Sequence, residues 1–153
     1  MKVIFDANVY DILASDKTII NIICNLTELS QLKVIATRTI VEELNNSPFQ
    51  GLPEWFSIDY EPNTVALVGI MRVGDRLGNA DIFIEHRGGS KKENDAHIVD
   101  SADIYADYLV SEDKRLVKRA EKFLKKCKVI NYKVFRKIII KKSNMSLKTK
   151  FCE

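Results

Sequence analysis

The sequence predicts an α/β fold with a mostly parallel central sheet and helices on both faces. Three observations carry this. Short apolar runs rich in β-branched and aromatic residues recur at Val3 to Phe5, Leu32 to Ala36, Tyr108 to Val110 and Val129 to Ile130. Between them lie longer stretches whose apolar residues return at helical spacing. Strands alternating with helices close as parallel strands joined by right-handed crossovers. The chain has 153 residues, 46% apolar and 29% charged, which suits one domain with a proper core.

Taken in order, Val3 to Phe5 is the first strand, ending at Asp6. Val9 to Leu13 begins a helix. Thr18 is expected to cap the next, whose stripe is Ile19, Ile22, Ile23, Leu26 and Leu29. Leu32 to Ala36 is the second strand. A helix starting at Thr37 or Arg38 carries Ile40, Val41 and Leu44 and stops near Pro48. Trp55 to Tyr60 alternates as an edge strand does. Thr64 to Val73 has a helical look. Leu77, Ile82, Phe83 and His86 suggest a further helix, ended by Gly88-Gly89-Ser90. Asn94 is a good N-cap for the helix that follows. Asp95 heads that helix's buried stripe of Ile98, Val99 and Ala102, while Asp100, Asp103 and Asp107 read as a solvated face. After Asp113, the stripe Leu116, Val117, Ala120, Phe123 and Leu124 marks another helix. Val134 to Ile140 is a last helix or strand. Residues 1–142 form the domain and 143–153 a basic, flexible tail.

Composition narrows the function classes. No apolar run approaches the ~18 residues of a membrane span. The opening MKVIFDANVY reads as a strand rather than a signal peptide. Cys24, Cys127 and Cys152 make neither a disulfide framework nor a zinc site, which favours a reducing cytoplasm. The net charge of +3 hides an asymmetry. Residues 114–153 hold 15 of the 24 basic residues and two of the 21 acids. An acidic body with a basic C-terminal quarter suits a polyanion and a cation-binding centre; a solvated lysine-rich helix face is the plainer reading.

The placement of four acids is more specific. Ligands of a parallel sheet sit beyond the carboxyl ends of its strands. Asp6 ends the first strand, Asp113 follows the strand at 108–110, Glu43 lies in the helix after the second strand, and Asp95 starts the helix feeding the later strand. All four can converge on one sheet edge. Clustered carboxylates repel one another unless they hold protons or a cation. Mg²⁺ or Mn²⁺ prefers such oxygen ligands, generates a hydroxide nucleophile and stabilises a phosphoryl group in flight. Taken singly, Asp95 and Asp113 could each serve only to favour a helix N-terminus.

These residues resemble the PIN-domain nucleases, whose best-known bacterial branch is the VapC-like toxins. The resemblance rests on Asp6-Ala7-Asn8, Glu43-Leu44, Asp95 and Ser111-Glu112-Asp113, in that order and spacing, and covers residues 1 to about 135. Glu42 adjoins Glu43; Glu43 is chosen because it precedes Leu44. The resemblance implies a three-layer α/β/α fold with four or five strands and a metal-dependent, single-strand-selective ribonuclease. Asp6, Glu43, Asp95 and Asp113 would be the Mg²⁺ or Mn²⁺ ligands and catalytic acids. Asn8 and Ser111 would orient ligands or water. RNA would be the substrate, and an antitoxin protein the partner of a toxin. Apolar residues in the 52–72 region, if exposed, would suit a homodimer or an inhibitor interface.

Other features are less specific. Lys114, Arg115 and Lys118 are candidates for the RNA backbone, and Asp81 for an extra acid. Trp55 could stack on a base and GGSKK at 88–92 could hold phosphate, though core packing and an exposed loop are the simpler readings. His86 and His97 are too isolated for a nucleophilic pair. Residues 49–92 match no motif. The rival reading is a non-catalytic domain that binds RNA or protein. A phosphoacceptor of receiver type wants paired acids after its first strand, where only Asp6 stands. A dehydrogenase or P-loop enzyme would need a glycine-rich turn there.

Overall fold

The central strand is β1 (Lys2–Phe5), three of whose four residues are fully buried. A computed structural model describes residues 1–66, 71–85 and 90–150. Two strands pair with β1 in parallel: β2 (Lys33–Thr37) and, on the other side, β6 (Tyr108–Val110). Outside these lie β3 (Ile58–Glu61) beside β2 and β7 (Lys128–Ile130) beside β6, again parallel. The five-stranded order is β3-β2-β1-β6-β7. Near-continuous apolar strands such as Val3-Ile4-Phe5 are what a sheet covered on both faces requires.

The connections place the helices. From β1 the chain moves outward to β2 through α1 (Ala7–Ser15) and α2 (Lys17–Glu28), and on past α3 (Arg38–Asn45) to β3. It then returns across the sheet through α5 (Ser90–Tyr105) to β6, and through α6 (Lys114–Phe123) to β7. Right-handed crossovers travelling in opposite directions cover opposite faces. The result is the expected three-layer α/β/α arrangement. The last helix, α7 (Tyr132–Lys150), packs on α2. Phe5 joins these layers, edge-on to Tyr10 of α1 at 5.9 Å and to Phe135 of α7 at 5.1 Å.

Several local expectations change. Asp16, not Thr18, caps α2: its carboxylate accepts from the Ile19 N–H, and also from Tyr132 Oη and Arg136 Nε of α7. That carboxylate is held below its ordinary pKa by these bonds and by the Arg136 charge, which outweigh desolvation, the largest single cause. The stretch at 64–73 opens as a strand, β4 (Thr64–Val65), paired in parallel with β5 (Arg76–Leu77). Two buried residues are too short a run to distinguish strand from helix by spacing. Of the expected helix at 77–86, α4 keeps only Ala80–Glu85, and Leu77 is exposed on β5. His86 and the two glycines of GGSKK lie outside the described residues. Trp55 is half-buried against Phe49 and Phe56, in keeping with packing. The stretch at 134–140 is helix, and α7 continues across the boundary placed at 142.

The face of α5 read as solvated is largely engaged. Asp100 is 1% exposed and accepts the Asn79 N–H at 2.9 Å. Asp103 accepts three consecutive N–H groups, from Lys125, Lys126 and Cys127, and so clasps the turn before β7. Asp107 is exposed as expected, with its carboxylate on the Lys2 N–H. Both helix faces are used because Thr64 and Asn79 pack against α5 on one side and the turn at 125–127 meets Asp103 on another. Thr64 meets Ser101, His97 Nδ1 lies 3.2 Å from the Thr64 carbonyl, and Asn63 bonds Thr39.

Candidate active site

Strand register sets the first acid. Phe5 pairs with Val110, so Asp6 and Ser111 are the next residues out on adjacent strands. The Asp6 N–H continues the ladder to the Val110 carbonyl at 2.9 Å. Side by side at the carboxyl edge, Ser111 Oγ donates to Asp6 Oδ2 at 2.6 Å, and Asn8 Nδ2 donates to the same oxygen at 2.8 Å. Ser111 Oγ in turn accepts the Asp113 N–H at 3.0 Å, and Asn8 Oδ1 accepts the Glu112 N–H at 3.3 Å. Asn8 and Ser111 thus fix the Asp6 carboxylate and lock the 111–113 turn to it.

The other three acids arrive from helices. Glu43 projects from α3, with Oε1 accepting from Asn94 Nδ2 of α5 at 2.9 Å. Asn94 was expected to cap α5, but the helix begins one turn earlier, at Ser90. Asn94 is instead inside the helix and holds Glu43. Asp95, next along, is half-buried, with its i+3, i+4 and i+7 neighbours Ile98, Val99 and Ala102 in the core as expected. Asp113 is the N-cap of α6: its Oδ1 accepts from the N–H groups of Arg115 and Leu116 at 2.7 and 3.2 Å.

All four acids line one cleft of about 520 Å³, together with Ala7, Asn8, Arg115 and Arg119. Their charges are felt across it. Burial, the largest cause, pushes the Asp6 carboxyl above its ordinary pKa; Asp95 and Asp113 push it further, against the hydrogen bonds from Ser111 and Ala7. Glu43 is raised likewise, by burial first and then by Asp6 and Asp95, against the Asn94 bond. The donor set is all carboxylate oxygen, the chemistry that Mg²⁺ or Mn²⁺ selects. Among the described residues, no group of three His, Cys, Asp or Glu side chains is drawn together closely enough to hold an ion as it stands.

Of the three basic candidates on α6, Arg115 lines the cleft, whereas Lys114 and Lys118 are exposed and absent from its lining. Asp81 is exposed in the first turn of α4 and is not part of the lining. Two residues of the site were not anticipated in their roles, Asn94 and Arg119. Arg119 Nη1 lies 3.4 Å from Asp95 Oδ2. Its i+4 relation to Arg115 signals a shared helix face. A second, more polar cleft of about 440 Å³ adjoins on the far side of Asn94, lined by Arg38, Glu42, Arg72 and His97 among others. Glu42 pairs there with Arg72 at 2.9 Å, so adjacent glutamates on α3 serve different clefts. No helix among the described residues is long and apolar enough to cross a membrane. Comparison with protein-family models, curated proteins and solved structures finds no match to this chain.

Proposed function

We propose that the protein is a divalent-metal-dependent endoribonuclease acting on single-stranded RNA. One observation carries this reading: four carboxylates from four separate segments share a cleft at the carboxyl edge of a parallel sheet, with two guanidiniums beside them. A Mg²⁺ or Mn²⁺ ion held by Asp6, Glu43, Asp95 and Asp113 would supply a hydroxide nucleophile and neutralise charge on the phosphoryl group. Ser111 and Asn8 keep the Asp6 carboxylate aimed, and Asn94 does the same for Glu43. Arg115 offers a cation to the phosphate backbone at the cleft mouth. Within this reading the setting is cytoplasmic, and an antitoxin protein or a second copy of the chain would cover the exposed Tyr60 and Met71.

The direct test is cleavage of a labelled single-stranded RNA. Activity is expected with Mn²⁺ or Mg²⁺ and none in excess EDTA; full activity in EDTA sinks the reading. A second reading, a non-catalytic RNA- or protein-binding domain, is favoured by the absence of a ready-made ligand group among the described residues. It expects binding without cleavage and without dependence on divalent ions, so the same assay separates the two.

Thermal stability provides a further check with a definite sign. Asp6 and Glu43 have native pKa values raised above their unfolded values. The native state therefore binds more protons, and metal-free stability falls as pH rises through the window from the ordinary carboxylate range to the raised values. A divalent ion should reverse this only above that window, where the acids are ionised. At 100 times its Kd, Mn²⁺ would add about 2.7 kcal/mol, or roughly 8 °C in Tm for a domain of this size. The expected result is that rise at pH 7.5, measured by calorimetry, and almost none near pH 4. An equal shift at both pH values would remove the carboxylates as the binding groups.

A further inference from the structure

The acid cleft carries a cation of its own. Arg119 is half-buried in it, and its guanidinium stands 3.4 Å from Asp95. The residue sits on the same face of α6 as Arg115, on the helix whose cap is Asp113. One rigid element therefore presents both an acid and a guanidinium to the same space. The ion pair is partly exposed at both ends, 30% and 25% by side chain, so it is held weakly and can open. A divalent ion on Asp95 and the guanidinium would repel at this separation, so the two compete for one carboxylate. Once displaced, an arginine has a fork of donors that matches a phosphodiester's two free oxygens, which a lysine cannot supply.

We propose that Arg119 is a tethered counter-ion of Asp95 which a divalent cation displaces, and that the released guanidinium then grips the scissile phosphodiester. This inference rests on the nuclease reading above. It makes Arg119 a residue with two partners in sequence. Without metal it offsets acid repulsion in the cleft. With metal it faces the substrate, beside Arg115. Until the ion arrives, only Arg115 of the two cleft guanidiniums faces RNA without a carboxylate bridge to Asp95.

The test is Mn²⁺ titration of the full chain by calorimetry, comparing wild type with Arg119→Gln, Arg119→Lys and Lys118→Gln, each checked for folding by circular dichroism. Lys118→Gln removes the same charge from α6 at a position that does not line the cleft. Arg119→Gln is expected to bind Mn²⁺ about tenfold tighter, roughly 1.4 kcal/mol. Lys118→Gln should stay within about twofold of wild type, since an exposed charge outside the cleft is screened. Arg119→Lys should fall between wild type and Arg119→Gln. At saturating Mn²⁺, Arg119→Gln should lose about 100-fold in kcat/KM on single-stranded RNA, with no rescue in Arg119→Lys. If Arg119→Gln binds Mn²⁺ no tighter than Lys118→Gln, the displacement is wrong while the nuclease reading stands on wild-type binding and cleavage. Tighter binding with undiminished cleavage removes the phosphate grip. A wild-type protein that binds no Mn²⁺ overturns the nuclease reading and this inference together.

Discussion

Asp6→Asn is expected to reduce RNA cleavage in Mn²⁺ by about 10³-fold or more while leaving the protein folded. Asp6 is the acid at the strand edge, 6% exposed, and it faces the charges of Asp95 and Asp113. Its Oδ2 is the acceptor for both Ser111 and Asn8. An Asn side chain can present its carbonyl oxygen at that place and keep both bonds. The substitution removes a buried charge without changing shape, so the network survives and the cation affinity does not. Desolvation and neighbouring acids both disfavour the Asp6 anion in metal-free protein. The variant should therefore melt at or above the wild-type temperature in EDTA and lose most of the Mn²⁺-induced rise. Cleavage by the variant at the wild-type rate would exclude Asp6 from the chemistry.

Gly78→Ala is expected to cost about 3 kcal/mol of stability. A Cβ at Gly78 would fall on the Asp100 carboxylate, with Oδ2 within bonding distance and Cγ at 2.8 Å, and would also stand 3.2 Å from the Val65 nitrogen. Asp100 cannot easily yield. It is buried, and its Oδ1 holds the Asn79 N–H. The Gly78 N–H itself is bonded to the Val65 carbonyl at 2.9 Å, so the backbone is pinned as well. Urea unfolding should show a lower midpoint with an unchanged slope. The contact can be isolated by a double-mutant cycle: in an Asp100→Ser background, Gly78→Ala should cost less than half as much. An undiminished cost there would assign the effect to the backbone rather than to the carboxylate.

Much of the α/β/α frame was legible in the residues because the strands announce themselves. Val3-Ile4-Phe5 and Tyr108-Leu109-Val110 are apolar on both faces, which only a doubly covered sheet tolerates, and each is followed at once by a polar residue of the site. The spacing of Ile98, Val99 and Ala102 likewise aimed Asp95 correctly. Where local reasoning failed, the deciding partner was distant in sequence. Asp100 looks solvated on a helical wheel, and becomes buried because Gly78 and Asn79 arrive from 21 or 22 residues away. Asp16 takes the cap from Thr18 because it also serves Tyr132 and Arg136 across more than 100 residues. Thr64 and Val65 are strand rather than helix because Ser101 receives the Thr64 N–H and β5 pairs alongside.

By itself the sequence determined the strands of the parallel five-stranded sheet and the main helices between them, and it singled out four acids that follow strands or lie on helices, because side-chain periodicity is a local property of the backbone. The tertiary structure decided which groups hold those acids and what charge they meet. Asn94 grips Glu43 across 51 residues and Arg119 reaches Asp95 across 24, contacts that hydrophobic spacing does not encode. Polar pairing depends on where two helices cross over the sheet edge, and that crossing is set by the packing of the whole core.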